Sequence, residues 1–175
     1  MASIITNRCT RWNALFLSLI TALVMLSGCS KPTVVDGYTS VEIGNRTFNL
    51  QIVADDENRN TGLGGRKELA DDEGMIFSFP DSKLRRFLMR DCYIDIDIIF
   101  LDSAGRIIAM HHMPIEEQKG EDESMYNYES RLKKYSSRFN AQYAIELIGG
   151  MLENLDLEDG QHIKLDINSL QSVTN

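Results

Sequence analysis

Cysteine is scarce in this 175-residue chain, with three copies at positions 9, 29 and 92. Two of these fall in an N-terminal stretch that reads as a processed leader or at its end, so Cys92 is left as the one expected free thiol of the domain. No intramolecular disulfide framework can then form, even in an oxidising compartment. Basic residues are also few: 18 Lys and Arg stand against 26 Asp and Glu, a formal net charge of −8. There is no basic stripe and no motif for reading RNA or DNA, and a chain of this sign repels polyanions, which excludes nucleic acid as an expected partner. Gly62, Gly64 and Gly65 have neither the spacing nor the following lysine of a phosphate-binding loop. The acidic run EEQKGEDES (residues 116–124) lacks the ordered oxygen spacing of a calcium loop. His111 and His112 are adjacent, and neighbours on a strand point to opposite faces, so they do not share one metal ion. No metal and no cofactor are expected.

What is present begins with Arg8 and Arg11 ahead of the apolar stretch NALFLSLITALVML (residues 13–26), ending in Leu26-Ser27-Gly28-Cys29. This is the pattern of a secretory signal. The apolar run is shorter than the roughly 20 residues that a membrane-spanning helix needs, and a polar segment follows it. The LSGC tetrapeptide is similar to a bacterial lipobox, which makes Cys29 the expected site of lipidation and the membrane the expected partner through it. Each buried methylene contributes about 0.8 kcal/mol, so two or three acyl chains make an anchor effectively permanent. Loss of residues 1–28 removes two basic residues and no acidic one, leaving 26 acids against 16 bases. The expected organisation is a lipoprotein signal peptide over 1–28, a tether over 29–40, one mainly β domain over 41–168 and a C-terminal tail over 169–175. A domain of that length buries about two-thirds of its unfolded surface and needs no covalent staple.

Within the domain, VEIGNRTFNLQIV reads as a β-hairpin around Gly44-Asn45. A short helix is expected from about Asp55 to Leu63, with a glycine-rich stop. GMIFSF closes at Pro80 and reads as one strand, and LRRFLMR, YIDIDIIFL and RIIAMHHM as three more. Residues 114–140 read as a long polar loop, whose tyrosines 126, 128 and 135 with Arg131, Lys133 and Lys134 suit either a lid or a drape over a barrel end. AQYAIELI is a further strand, MLENLDL a helical segment, and EDGQHIKLDI a turn and last strand. The fold class is therefore mainly β: a small single-domain β-barrel or β-sandwich with one or two short helices.

Asp102-Ser103-Ala104-Gly105-Arg106 suits a type I turn followed by a G1 bulge. That loop pairs Leu101 with Ile107, Ile99 with Ala109 and Asp97 with His111. Asp97 then sits where a wet face passes into a covered one, and a partly buried carboxylate needs a partner there: His111, or an arginine such as Arg66 or Arg90. The pair is read in two ways, as the mouth of a polar pocket for ligand binding or proton transfer, and as a structural acid holding backbone amides. A two-residue loop would instead set Asp97 against Met110. Cys92 alternates with the aspartates and falls in with Ile94, Ile96 and Ile98, where a small core residue belongs.

Five segments in order, Thr61-Gly62-Leu63-Gly64-Gly65-Arg66, Asp72-Glu73-Gly74-Met75-Ile76-Phe77, Phe87-Leu88-Met89-Arg90-Asp91, Ile96-Asp97-Ile98-Ile99-Phe100-Leu101-Asp102 and Ala141-Gln142-Tyr143-Ala144-Ile145-Glu146-Leu147, resemble the bacterial and archaeal family called domain of unknown function 192. The resemblance runs from about Val41 to Ile167. It implies a small, mainly β domain, commonly exported or membrane-anchored, and supplies no activity. The chain departs from the family pattern at Leu88, where tryptophan is usual, at Asp95, where proline is usual, and at Tyr93, where a smaller side chain is usual. The expected function is a lipid-anchored, non-enzymatic binding or accessory module of the periplasmic or cell-surface side. Its ligand-binding candidates are Asp97, His111, Met89, Arg66 and Asp91, and its partner is an unknown small molecule or envelope component. The alternatives are a small cell-envelope hydrolase using Asp97 and His111 as acid and base, and a purely structural envelope protein.

Overall fold

Tyr38–Ile43 (β2) alternates exposed and buried side chains along its whole length, so one face of the strand must be covered. Arg46–Val53 (β3) folds back on it antiparallel across the turn at Gly44-Asn45, in the expected register. The computed structural model describes residues 34, 35 and 37–174; the expected signal segment 1–28 and the expected lipidation site Cys29 lie outside the described residues. Val34–Val35 (β1) adds a short edge to β2. The remaining strands are Glu73–Phe87 (β4), Ile96–Leu101 (β5), Ile107–Met113 (β6) and Tyr135–Ile148 (β7). Together they form one seven-stranded sheet in the order β1-β2-β3-β4-β7-β5-β6. The domain is mainly β, and the sheet is open, since its outer strands β1 and β6 are not neighbours.

Only β3 and β4 run parallel. Parallel neighbours need a long crossover, and residues 54–72 supply it. Its helix, Asp56–Thr61 (α1), is capped by Asp55, whose carboxylate accepts the Asn58 amide at 3.0 Å. The glycine-rich segment that ends this helix crosses one face of the sheet. That face is packed with Met75, Phe77, Ile98, Phe100 and Ala144 and is covered by Leu63, Leu69, Met89 and Cys92. The opposite face carries Ile76, Ile99, Leu101, Tyr143, Ile145 and Leu147, under Met151, Leu155, Ile163 and Leu170 from the C-terminal segment. A sheet covered on both sides explains why all six residues of β5 are buried.

Several expectations need correction. GMIFSF and LRRF are one strand, because β4 continues through Pro80. Pairing with β7 jumps from Ser78–Tyr143 to Lys83–Ala141, and Pro80 sits inside that wide bulge, where no ladder amide is required. β5 starts only at Ile96, so Asp91, Cys92 and Asp95 belong to the preceding loop and the strand-parity argument does not reach them. The polar stretch 114–140 is half structured: Met125–Arg131 is a helix (α2) and β7 begins at Tyr135. Buried Tyr128 anchors α2, its hydroxyl accepting the Asp91 amide at 2.9 Å. MLENLDL contains a single 3-10 turn at Leu152–Asn154. EDGQHIKLDI makes an isolated bridge, Arg106 with His162, in place of a strand, and the expected tail opens with a helix, Ile167–Ser172 (α3).

Candidate functional site

The Asp102–Arg106 turn forms as its residues dictate: Gly105 adopts φ 83°, and one Asp102 carboxylate oxygen accepts the Ala104 and Arg106 amides at 2.8 and 2.9 Å. One further residue then bulges from β6. Leu101 pairs with Ile107 but Phe100 pairs with Ala109, so Ile108 is extra and Asp97 faces His112 instead of His111. Asp97 is 1% exposed. One of its oxygens lies 2.7 Å from His112 Nδ1 and the other accepts the Leu152 amide at 2.7 Å. His111 points to the other face, with Nε2 2.8 Å from the Ser136 carbonyl oxygen and its ring against Phe100 and Tyr135.

The other candidates are dispersed. Met89 is fully buried in the core. Arg66 donates to the Gln51 side chain at 2.5 Å. Asp91 is exposed at φ 55°, and its carbonyl accepts the Gly65 amide at 2.9 Å, tying the glycine segment to the 88–95 loop.

A concavity opens on the Met75–Ile98 face of the sheet, away from Asp97. It is a cleft of about 580 Å³, and none of the five candidates lines it. One wall is the β4 bulge and the strand beyond it, Phe79 to Phe87; the other is α1 with Gly62 and Leu63; Arg90, Cys92 and Glu129 close the end. The volume lies within the usual range of small-molecule sites.

At the floor is Glu146, near the C-terminal end of β7. Its ladder neighbours are apolar: Met75 on β4 and Ile98 on β5. The side chain is buried, and Oε2 has no hydrogen-bond partner. Burial pushes the carboxyl up to about 7, against the smaller opposing effects of the Leu63 backbone amide and the Arg66 charge. A buried carboxylate is costly where burial outweighs its nearby charge, as it does here against Arg66, so an unpartnered oxygen in such a place is unusual. Gly62 makes the arrangement possible. It adopts φ +54°, and a Cβ there would lie 3.3 Å from Glu146 Oε2, pressing on the carboxylate.

Cys92 lies beside this floor, 5% exposed, with Sγ 3.5 Å from the Arg90 carbonyl oxygen. Burial first, and the Glu146 charge second, push its thiol up to about 12. A thiol in that state is packing material and not a nucleophile.

The mouth is cationic. Arg59 pairs with Asp56 at 2.9 Å and donates to the Ala54 and Ser78 carbonyl oxygens at 2.6 and 2.8 Å. Arg85 and Lys83 both pair with Asp81, and Arg85 stacks on Phe79 with 4.0 Å from guanidinium carbon to ring centre. Arg90 bridges to Glu129 at 2.7 Å and to the Asn60 carbonyl oxygen. Arg86 is exposed and has no ion pair among the described residues.

In the sequence Glu146 is marked by AIELI, one acid within a short apolar run. The same holds for Arg85-Arg86 and Arg90, which cluster within six residues of the sequence.

Among solved structures, the fold is similar to that of a Sinorhizobium meliloti 1021 protein described as a candidate transcription regulator, at 25% identity and TM-score 0.56, covering 71% of this chain and 88% of that one. It is also similar to a protein of unknown function from Novosphingobium aromaticivorans DSM 12444, at 21% identity and TM-score 0.61, covering 78% and 94%. The comparison with curated proteins finds no match. The sequence model of domain of unknown function 192, described as "Uncharacterized ACR", matches residues 39–165, and the chain belongs to that family.

Proposed function

We propose that this protein is an exported, lipid-anchored binding module whose site is the cleft between α1 and the β4 bulge. The single observation that carries the reading is the Glu146 carboxylate: buried, with one oxygen unpartnered, at the floor of a cleft ringed by arginines. Structural acids have their oxygens filled by amides or cations, as Asp97 does. An acid left open inside a cavity fits a group that arrives with a ligand. The hydrolase alternative is less well supported, because both Asp97 oxygens are already engaged and the Asp97–His112 pair lies outside the cleft. Regulation of transcription through nucleic-acid contact, one reading of the Sinorhizobium protein's description, is disfavoured by 26 acidic residues against 18 basic ones.

Native mass spectrometry of the protein purified from its own cells tests the reading. A small molecule should co-purify with the wild type and be lost from an Arg86→Ala, Arg90→Ala double variant. A wild-type protein that stays empty as purified, and after incubation with a library of small polar metabolites, would overturn it.

A further inference from the structure

The cleft offers opposite charges at two depths. At the floor, no protein group facing Glu146 hydrogen-bonds Oε2, although the atom is itself covered. Met75 and Ile98 are apolar, the Cys92 thiol is protonated, the Leu63 amide acts on the carboxylate without filling Oε2, and Arg66 is held by Gln51. A ligand seated at the floor that displaces the covering side chains can supply the missing donor. A hydroxyl would fill the hydrogen bond but leave the burial cost that the Arg66 charge only partly offsets, whereas an ammonium supplies both a donor and a charge.

At the mouth the surplus is positive. Among the lining residues, Lys83, Arg85, Arg86 and Arg90 stand against Asp81 and Glu129. A ligand that is only cationic must dock against that surplus, and one that is only anionic leaves Glu146 unpaired.

We propose that the cleft binds a small zwitterion of the amino-acid class, with a primary ammonium directed inward to Glu146 and a carboxylate directed outward to Arg86. The proposal rests on the reading of the cleft as a binding site and deepens it by naming the ligand chemistry. Arg86 is the anion receptor because its guanidinium is uncommitted, and a planar fork of donors suits a carboxylate. Phe79 and Phe87 line the wall between floor and mouth and would cover the ligand's aliphatic portion.

The experiment is isothermal titration of the purified full-length protein with L-lysine and with ω-amino acids from glycine to 8-aminooctanoate. Each acid is matched with its ω-hydroxy acid and with the alkylamine of the same length. At least one amino acid should bind tenfold or more tightly than both counterparts. Its affinity should rise about tenfold from pH 6 to pH 8 as Glu146 ionises. Glu146→Gln should abolish the preference over the hydroxy acid, together with the pH dependence. Arg86→Ala, a surface change that leaves the core intact, should abolish the preference over the alkylamine.

Two results would overturn the zwitterion: no amino acid outbinding its hydroxy counterpart, or a preference for the ammonium that survives Glu146→Gln. If hydroxy acids bind the cleft instead, the binding module stands and the zwitterion falls. If nothing binds and nothing co-purifies, both fall.

Discussion

Glu146 ties the protein's stability to pH at the level of one side chain. Its folded-state pKa of about 7 stands above the ordinary value of 4.5, so the fold holds this proton more tightly than the unfolded chain does. The contribution is fully present below pH 4.5 and is lost as pH rises through 7, a change of about 3 kcal/mol at most. Asp55, Asp81, Glu123 and Asp166 have carboxyls held below their ordinary values by hydrogen bonds. They act with the opposite sign and in a more acidic window. Urea denaturation should therefore show wild-type stability declining between pH 4.5 and 7, and Glu146→Gln should flatten the curve across that window. A Gln variant with the wild-type slope would show that another group titrates there. Cys92 makes the complementary point: the same low-polarity floor that raises the Glu146 carboxyl keeps the neighbouring thiol protonated.

Two irregularities of the elements decide where chemistry can occur. The bulge around Pro80 lifts β4 off β7 and turns the residues beyond it into the arginine-bearing wall of the cleft. The bulge at Ile108 rotates β6 by one position, bringing His112 to Asp97 and sending His111 to the other face. Asp97 then works as a clasp, joining β5, β6 and the turn that starts at Met151 through the Leu152 amide. Asp97→Ala leaves the Leu152 amide without its acceptor beside a nearly dry site, while the exposed His112 ring turns to water, at a cost of about 1–3 kcal/mol. Asp97→Asn keeps an oxygen for the amide and should cost less. Denaturation midpoints of the two variants check the ranking, and equal losses would mean that charge, and not amide capping, is what Asp97 supplies.

At the scale of the whole molecule, the described residues contain no helix long and apolar enough to cross a membrane. Attachment would rest on the lipobox-like LSGC alone. Cys29→Ser should move the protein from the membrane to the soluble fraction on ultracentrifugation, and retention of the variant in the membrane would count against lipidation. The cationic cleft stands against an acidic remainder. That contrast steers small anionic or zwitterionic ligands toward the mouth.

The sequence by itself determined what depends on neighbours a few residues apart. The Gly44-Asn45 hairpin, the Asp55-capped helix, the Asp102–Arg106 turn, the mainly β class and the family are all local patterns or ordered sets of them. It also placed Cys92 in the core, although by a strand parity that the loop at 88–95 does not follow. Only the tertiary structure decided the site. Whether Pro80 ends a strand or sits in a bulge depends on β7, more than 60 residues away, and the partner of Asp97 depends on one unpaired residue in β6. Glu146 becomes a candidate site residue only because the crossover lays Gly62 over it while β4 and β5 offer it Met75 and Ile98. A carboxylate's burial and its missing partner are properties of what surrounds it, and those surroundings come from four separate stretches of the chain.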